Sequence, residues 1–214
     1  MFIFFALFIL AVITLSSLRY YYLQAAAVFM MLSVTMLGQK FFEIYGLTSN
    51  YGNIFFSGVI YSIILAYYTY GEEEAAHIVK IMFFILFFFI CCVSILLGLP
   101  YISSSQNVQS AMQTLFQPQF RIIVASFCSF YFVQQILFLL MRKIKHAKII
   151  FFIPLLCLLI QAIDSSIFFP IAFYGVFSNI ELLHTAFSGF IVKSVISIFS
   201  TPFFFLASKM TKRI

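Results

Sequence analysis

From residue 149 to residue 174 the chain is apolar apart from a few polar side chains, and it carries one charge, Asp164. Roughly 20 apolar residues rising about 1.5 Å each cross a hydrocarbon core of about 30 Å, so a helix here is long enough to span a bilayer. Comparable runs occupy residues 2–18, 23–42, 54–70, 78–99, 122–141 and 182–207. A chain that is 64% hydrophobic and 8% charged cannot bury that much apolar surface in a soluble core, where about 25% charged residues is usual. The pattern predicts an all-α polytopic membrane protein of about seven transmembrane helices, built as one membrane domain over residues 1–214.

The segments between the runs read as helix ends. With 32 Phe, 12 Tyr and no Trp, interfacial aromatic belts must be built from Tyr and Phe. Run 2–18 lacks a basic leader and a small-residue cleavage site, which predicts a retained helix rather than a signal peptide. Lys40 and Glu43 stand at i, i+3, the spacing of a local ion pair, and Lys40 could equally snorkel to the interface. Gly46, Asn50, Gly52 and Asn53 supply turn chemistry. Glu72, Glu73 and Glu74 precede the fourth span, where acids suit a helix N-terminus, and a solvated cap is favoured over a metal site. Residues 101–119 form a long neutral polar stretch with room for a short interfacial helix. Cys91, Cys92, Cys128 and Cys157 lie in apolar runs without ligand spacing, which points away from metal and disulfide roles.

Charge sets the expected orientation. With seven spans and the loop after the fifth placed inside, Arg19, Lys80, Arg142, Lys143, Lys145, Lys148, Lys209, Lys212 and Arg213 fall on one side, nine of the twelve basic residues. The positive-inside rule then puts the N-terminus outside and the C-terminus in the cytoplasm. The net charge of +6 is no nucleic-acid footprint, because the basic residues sit at helix ends.

Asp164 is the position that demands an explanation. An ionisable group at that depth costs about 2.5–3.5 kcal/mol on insertion scales, so it must face protein or a wet cavity. Gln161, Asp164, Ser165 and Phe168 share one helical face at i, i+3, i+4 and i+7. Two readings stand: a buried Asp that ties helices together, or a polar substrate site. In the fifth span Ser126, Ser129 and Gln134 fall within a sector of about 140°, which interhelical hydrogen bonding explains as readily as ligand binding. Lys193 lies mid-span in the last run. Asp164 is eleven residues before Gly175 and Lys193 twelve after Glu181, so both lie roughly 16–18 Å from the same face. No nucleophile-and-base set, phosphate loop or metal motif accompanies them, so neither an enzyme nor a cofactor is expected.

Several stretches in order resemble the queuosine-precursor transporter family, also called the vitamin uptake (VUT) family. They are Lys40-Phe-Phe-Glu-Ile-Tyr-Gly46; Tyr70-Gly71 with the acids and Ala75-Ala76; Arg121-Ile-Ile-Val-Ala-Ser126; Gln134; Gln161-Ala-Ile-Asp164-Ser165; Ile171-Ala-Phe-Tyr-Gly175; Lys193; and Thr201-Pro202. The resemblance implies an importer of 7-deazaguanine bases, such as queuine or its cyano and aminomethyl precursors, for modifying transfer RNA. It implies a bacterial inner-membrane location and a six-helix core similar to the substrate-binding subunits of vitamin transporters, with the first helix added. It leaves an energising subunit open. Its candidate substrate-binding residues are Asp164, Gln161, Gln134, Lys193, Ser165, Phe168, Phe173, Lys40 and Arg121. Where the family carries polar side chains, this chain has Ile64, Tyr68, Leu137 and Thr35. The alternative is an integral membrane scaffold or assembly protein that transports nothing.

Overall fold

The computed structural model describes residues 2–38, 40–116, 119–144 and 149–211. Gln39, Lys145, His146, Lys148, Lys212 and Arg213 lie outside them, and so does part of the basic block after the fifth span. The apolar runs are helices: α1 (Phe2–Ser16), α2 (Tyr20–Leu37), α3 (Tyr51–Tyr70), α4 (Glu72–Gly98), α6 (Gln119–Lys143), α7 (Ile149–Phe173) and α8 (Asn179–Thr211). Six of these are long and apolar enough to cross a membrane, and α1 is a shorter apolar helix. The neutral stretch after Pro100 contains a 3₁₀ turn (Ser103–Ser105) and the amphipathic α5 (Gln106–Phe116).

One element departs from the sequence reading. The run expected to continue to residue 42 stops at Leu37, and Phe41–Ile44 (β1) pairs antiparallel with Leu47–Asn50 (β2). Tyr45 and Gly46 take φ of 51° and 76° at the two-residue turn, the left-handed pair that a tight hairpin demands. Lys40 and Glu43 therefore do not share a helix face and make no ion pair with each other. Lys40 instead sits 5.4 Å from the Tyr51 ring centroid. The hairpin is tied to the next helix, because Asn50 caps α3 by accepting the Asn53 N–H at 3.0 Å, and the Asn53 amide donates to Ser49 Oγ at 2.8 Å.

α3 is the buried centre. Nearly all of its residues are shielded, whereas α4 buries only Ala75, Ile78, Val79, Met82 and Leu86 and turns Phe84, Phe87 and Phe88 outward. Small residues make the centre possible. A Cβ on Gly58 would lie 3.2 Å from Ile9 and Ile13, so α1 crosses α3 at its glycine. The positions Ile64, Tyr68 and Leu137 all belong to this apolar core, with Tyr68 edge-on to Phe204.

Contacts sort the connections onto two faces. At one, the Tyr70 hydroxyl donates to the Ser17 carbonyl at 2.7 Å, and Arg142 Nε donates to Glu72 Oε1 at 2.7 Å. At the other, Arg121 Nε donates to the Ile171 carbonyl at 2.7 Å, and Phe41 packs edge-on against Phe173 and Phe177. Successive helices thus alternate between faces.

Candidate functional site

α7 and α8 are joined by a short turn, which makes them antiparallel neighbours and brings Asp164 and Lys193 to one level. The Lys193 ammonium donates to Asp164 Oδ2, and the side chains are 1% and 5% exposed. A second donor, Ser129 Oγ on α6, bonds Asp164 Oδ1. Lys193 also donates to Ser165 Oγ at 3.2 Å and lies 5.3 and 5.7 Å from the ring centroids of Phe56 and Phe169. Burying two charges is costly, and the cost is repaid only where hydrogen bonds and aromatic faces complete their surroundings, as they do here.

The pair forms one wall of a cavity of about 30 Å³ whose other walls include Phe56, Asn53, Ser126 and Phe168. Gly38, Asn50 and Gly52, at the root of the hairpin, line it on the hairpin side. A Cβ on Gly52 would come within 3.0 Å of Gly38 Cα, so backbone meets backbone over the site. This volume holds no more than about two or three waters, while pockets for drug-sized ligands run to about 300–1,000 Å³. In this conformation the space is too small for a ligand of that size.

The chemistry left over is specific. A carboxylate offers about four acceptor sites and an ammonium three N–H groups. Ser129 and Lys193 use one acceptor site on each Asp164 oxygen, and Asp164 and Ser165 use two of the N–H groups. One donor therefore remains beside two acceptors, which suits a ring edge bearing a carbonyl next to N–H groups.

The other sequence candidates divide. Ser165 touches Lys193 and Phe168 lines the cavity. Gln161 is buried one turn away, where its amide donates to Ser57 Oγ at 3.4 Å and its carbonyl oxygen has no partner among the described residues. Gln134 is 1% exposed, with neither amide atom partnered among them. Phe173 does not line the cavity; it stacks on Phe177 with centroids 5.0 Å apart, towards the hairpin face. Lys40 and Arg121 are exposed and lie outside the cavity lining. The sequence reading missed Asn53, Ser57 and Phe56. Asn53 and Ser57 stand at i, i+4 on α3, a polar face that was legible in principle.

Known proteins resemble this chain over most of its length. The profile described as "Putative vitamin uptake transporter" matches residues 50–207, from the end of the hairpin to the last turns of α8. A protein of Bacillus subtilis (strain 168) named "Probable queuosine precursor transporter" is 25% identical over 177 residues, covering 80% of this chain and 76% of the relative. No solved structure gives a significant match.

Proposed function

Because the chain belongs to the family described as "Putative vitamin uptake transporter", we propose that it carries a small planar heterocycle across the membrane, a 7-deazaguanine base that serves as a queuosine precursor. The observation that carries this reading is the buried Asp164, held by Ser129 and Lys193 at the wall of a small cavity between helices. A helix-tying Asp needs no cavity beside it. A deazaguanine edge presents a carbonyl, a ring N–H and an exocyclic amine in a row. Lys193 donates to the first and Asp164 accepts from the other two. Phe168 and Phe56 supply ring faces, and Gln161 and Gln134 offer amides deeper in the bundle. The name of the Bacillus relative supports this choice of substrate.

Transport requires the cavity to open, first towards the hairpin face and then towards the face of Glu72 and Arg142. By charge, the first is the outside and the second the cytoplasm of a bacterial inner membrane. The protein performs no reaction on its cargo. The test is uptake of a radiolabelled deazaguanine by cells that lack their own route and express this chain. Accumulation above the empty-vector level is expected, and its absence from well-expressed protein would leave the scaffold alternative standing.

A further inference from the structure

Away from the Asp164 cavity, two apolar hollows run end to end along α1. The first, of about 770 Å³, lies between the start of α1 and the hairpin; Phe2, Phe42, Tyr51 and Phe55 line it, and Lys40 and Glu43 complete its wall. The second, of about 620 Å³, lies between α1 and α2, with Val12, Ser16, Ala25, Ala26 and Phe29 in its wall. The two adjoin at Phe5 and Phe55, which line both. From Phe5 to Ser16 is eleven residue steps along α1, about 16 Å, and one leaflet of hydrocarbon is about 15 Å deep. The chemistry changes along this groove. At the hairpin end Lys40 and Glu43 are exposed, and neither has a salt-bridge partner among the described residues. Below them the walls are apolar: α1 turns Phe4 and Phe8 outward, 78% and 65% exposed, and the two small alanines of α2 leave room beside them.

We infer that this groove is a lipid site: it holds one zwitterionic phospholipid, with the phosphate at Lys40 and an acyl chain laid along α1 past Phe5 towards Ala25 and Ala26. A continuous apolar surface of this size marks a place where something apolar docks, and at this depth in a bilayer an acyl chain is what meets it. Lys40 sits 5.4 Å from the Tyr51 ring centroid, which holds the ammonium at the rim, where a lipid phosphate would lie. Glu43 at the same rim decides the headgroup. A glycerol headgroup adds only the phosphate, which sets two anions beside one ammonium. An ethanolamine headgroup brings its own ammonium and leaves two charges of each sign, so phosphatidylethanolamine is preferred over phosphatidylglycerol. The bound lipid bridges α1 to the hairpin, whose root at Gly38, Asn50 and Gly52 lines the Asp164 cavity. This inference rests on the membrane class alone and stands apart from the transport reading.

The test is native mass spectrometry of the full chain in detergent, titrated with dioleoyl phosphatidylethanolamine or dioleoyl phosphatidylglycerol. Wild type is expected to bind one molecule of the ethanolamine lipid at least about fivefold more tightly than the glycerol lipid. Lys40→Gln removes the partner of the phosphate, and Ala25→Leu fills the groove from an exposed position on α2. Each should weaken binding of the ethanolamine lipid at least about fivefold, whereas Lys209→Gln, exposed in the last turn of α8, should bind it as wild type does. Glu43→Gln should bring the glycerol lipid to within about twofold of the ethanolamine lipid. A glycerol lipid that binds wild type as tightly overturns the inference, and so does binding that a folded Lys40→Gln or Ala25→Leu protein retains in full. A preference that survives Glu43→Gln, or a dimer of the chain in place of the lipid adduct, overturns it too. Circular dichroism checks that each variant folds, and Lys40→Gln decides alone where Ala25→Leu does not.

Discussion

Lys193 on α8 meets Asp164 on α7 across a sequence gap of 29 residues, and the ammonium and the carboxylate are both almost sealed from their surroundings. Each is the other's only counter-charge in the described interior. Lys193→Met should therefore destabilise the protein by about 3–5 kcal/mol, because it strands a buried carboxylate. Asp164→Asn with Lys193→Met should recover much of that loss while staying inactive in uptake. Thermal unfolding of the four proteins in one detergent measures the coupling, and strictly additive effects would mean that the contact contributes nothing.

Asp164→Asn alone keeps the shape but removes the charge and one acceptor. Uptake at subsaturating substrate should fall at least tenfold, about 1.4 kcal/mol. The exposed Glu73→Gln change, in the first turn of α4, should leave uptake within about twofold of wild type. Near-normal transport by a well-expressed Asp164→Asn protein would remove the proposed role.

Ser129 holds the second carboxylate oxygen. Ser129→Ala leaves that oxygen short of a donor at a cost of about 1–3 kcal/mol, whereas Ser129→Thr retains the hydroxyl. Binding measurements should rank the proteins wild type, Thr, Ala. A Thr variant as weak as the Ala variant would mean that volume matters at this position and the hydroxyl does not.

Gly189 lets α8 close against the aromatic wall. A Cβ there would lie 2.7 Å from Phe169 Cζ and 3.0 Å from Asn53 Nδ2. Gly189→Ala should push the Phe169 ring towards Lys193 and lower stability by about 1–3 kcal/mol. Its melting temperature is the readout, and an unchanged value would show that the helices part without penalty.

Orientation is tested at Ser104, exposed in the 3₁₀ turn after α4. With the four native cysteines replaced, Ser104→Cys should react with an impermeant maleimide on intact cells. Protection there, together with labelling of Arg142→Cys, would invert the assignment.

The membrane class and the Asp164–Lys193 level could be read from the sequence because both follow from counting: run length against bilayer thickness, and residues back from a shared turn. Facing directions do not follow from counting. Helical spacing puts Ser129 on the same side as Ser126 and Gln134, but that side is about 140° wide, so nothing in the pattern says that Ser129 faces Asp164. The hairpin was hidden for a different reason. Gly38, Gln39 and Lys40 interrupt the apolar run before Phe41 and Phe42 but read equally well as the polar end of one helix, and the Tyr45-Gly46 turn is a weak signal beside Asn-Gly. Lys40 and Arg121 became candidates through the stretches that resemble the family, but each flanks a helix, which places its charge at the mouth of the bundle and outside the cavity lining.

The order of synthesis gives the buried pair a consequence for how the protein is made. Asp164 leaves the ribosome 29 residues before Lys193, so when α7 reaches the translocon its carboxylate has no counter-ion. That charge costs about 2.5–3.5 kcal/mol at the helix centre, a debt that the Leu, Ile and Phe residues of α7 must outweigh until α8 arrives. The turn at residues 174–178 is short enough for the two helices to enter as a hairpin, with the pair closing as they do. Truncation after Gly175 should accordingly yield a nascent chain whose last helix inserts less completely than the same helix followed by α8.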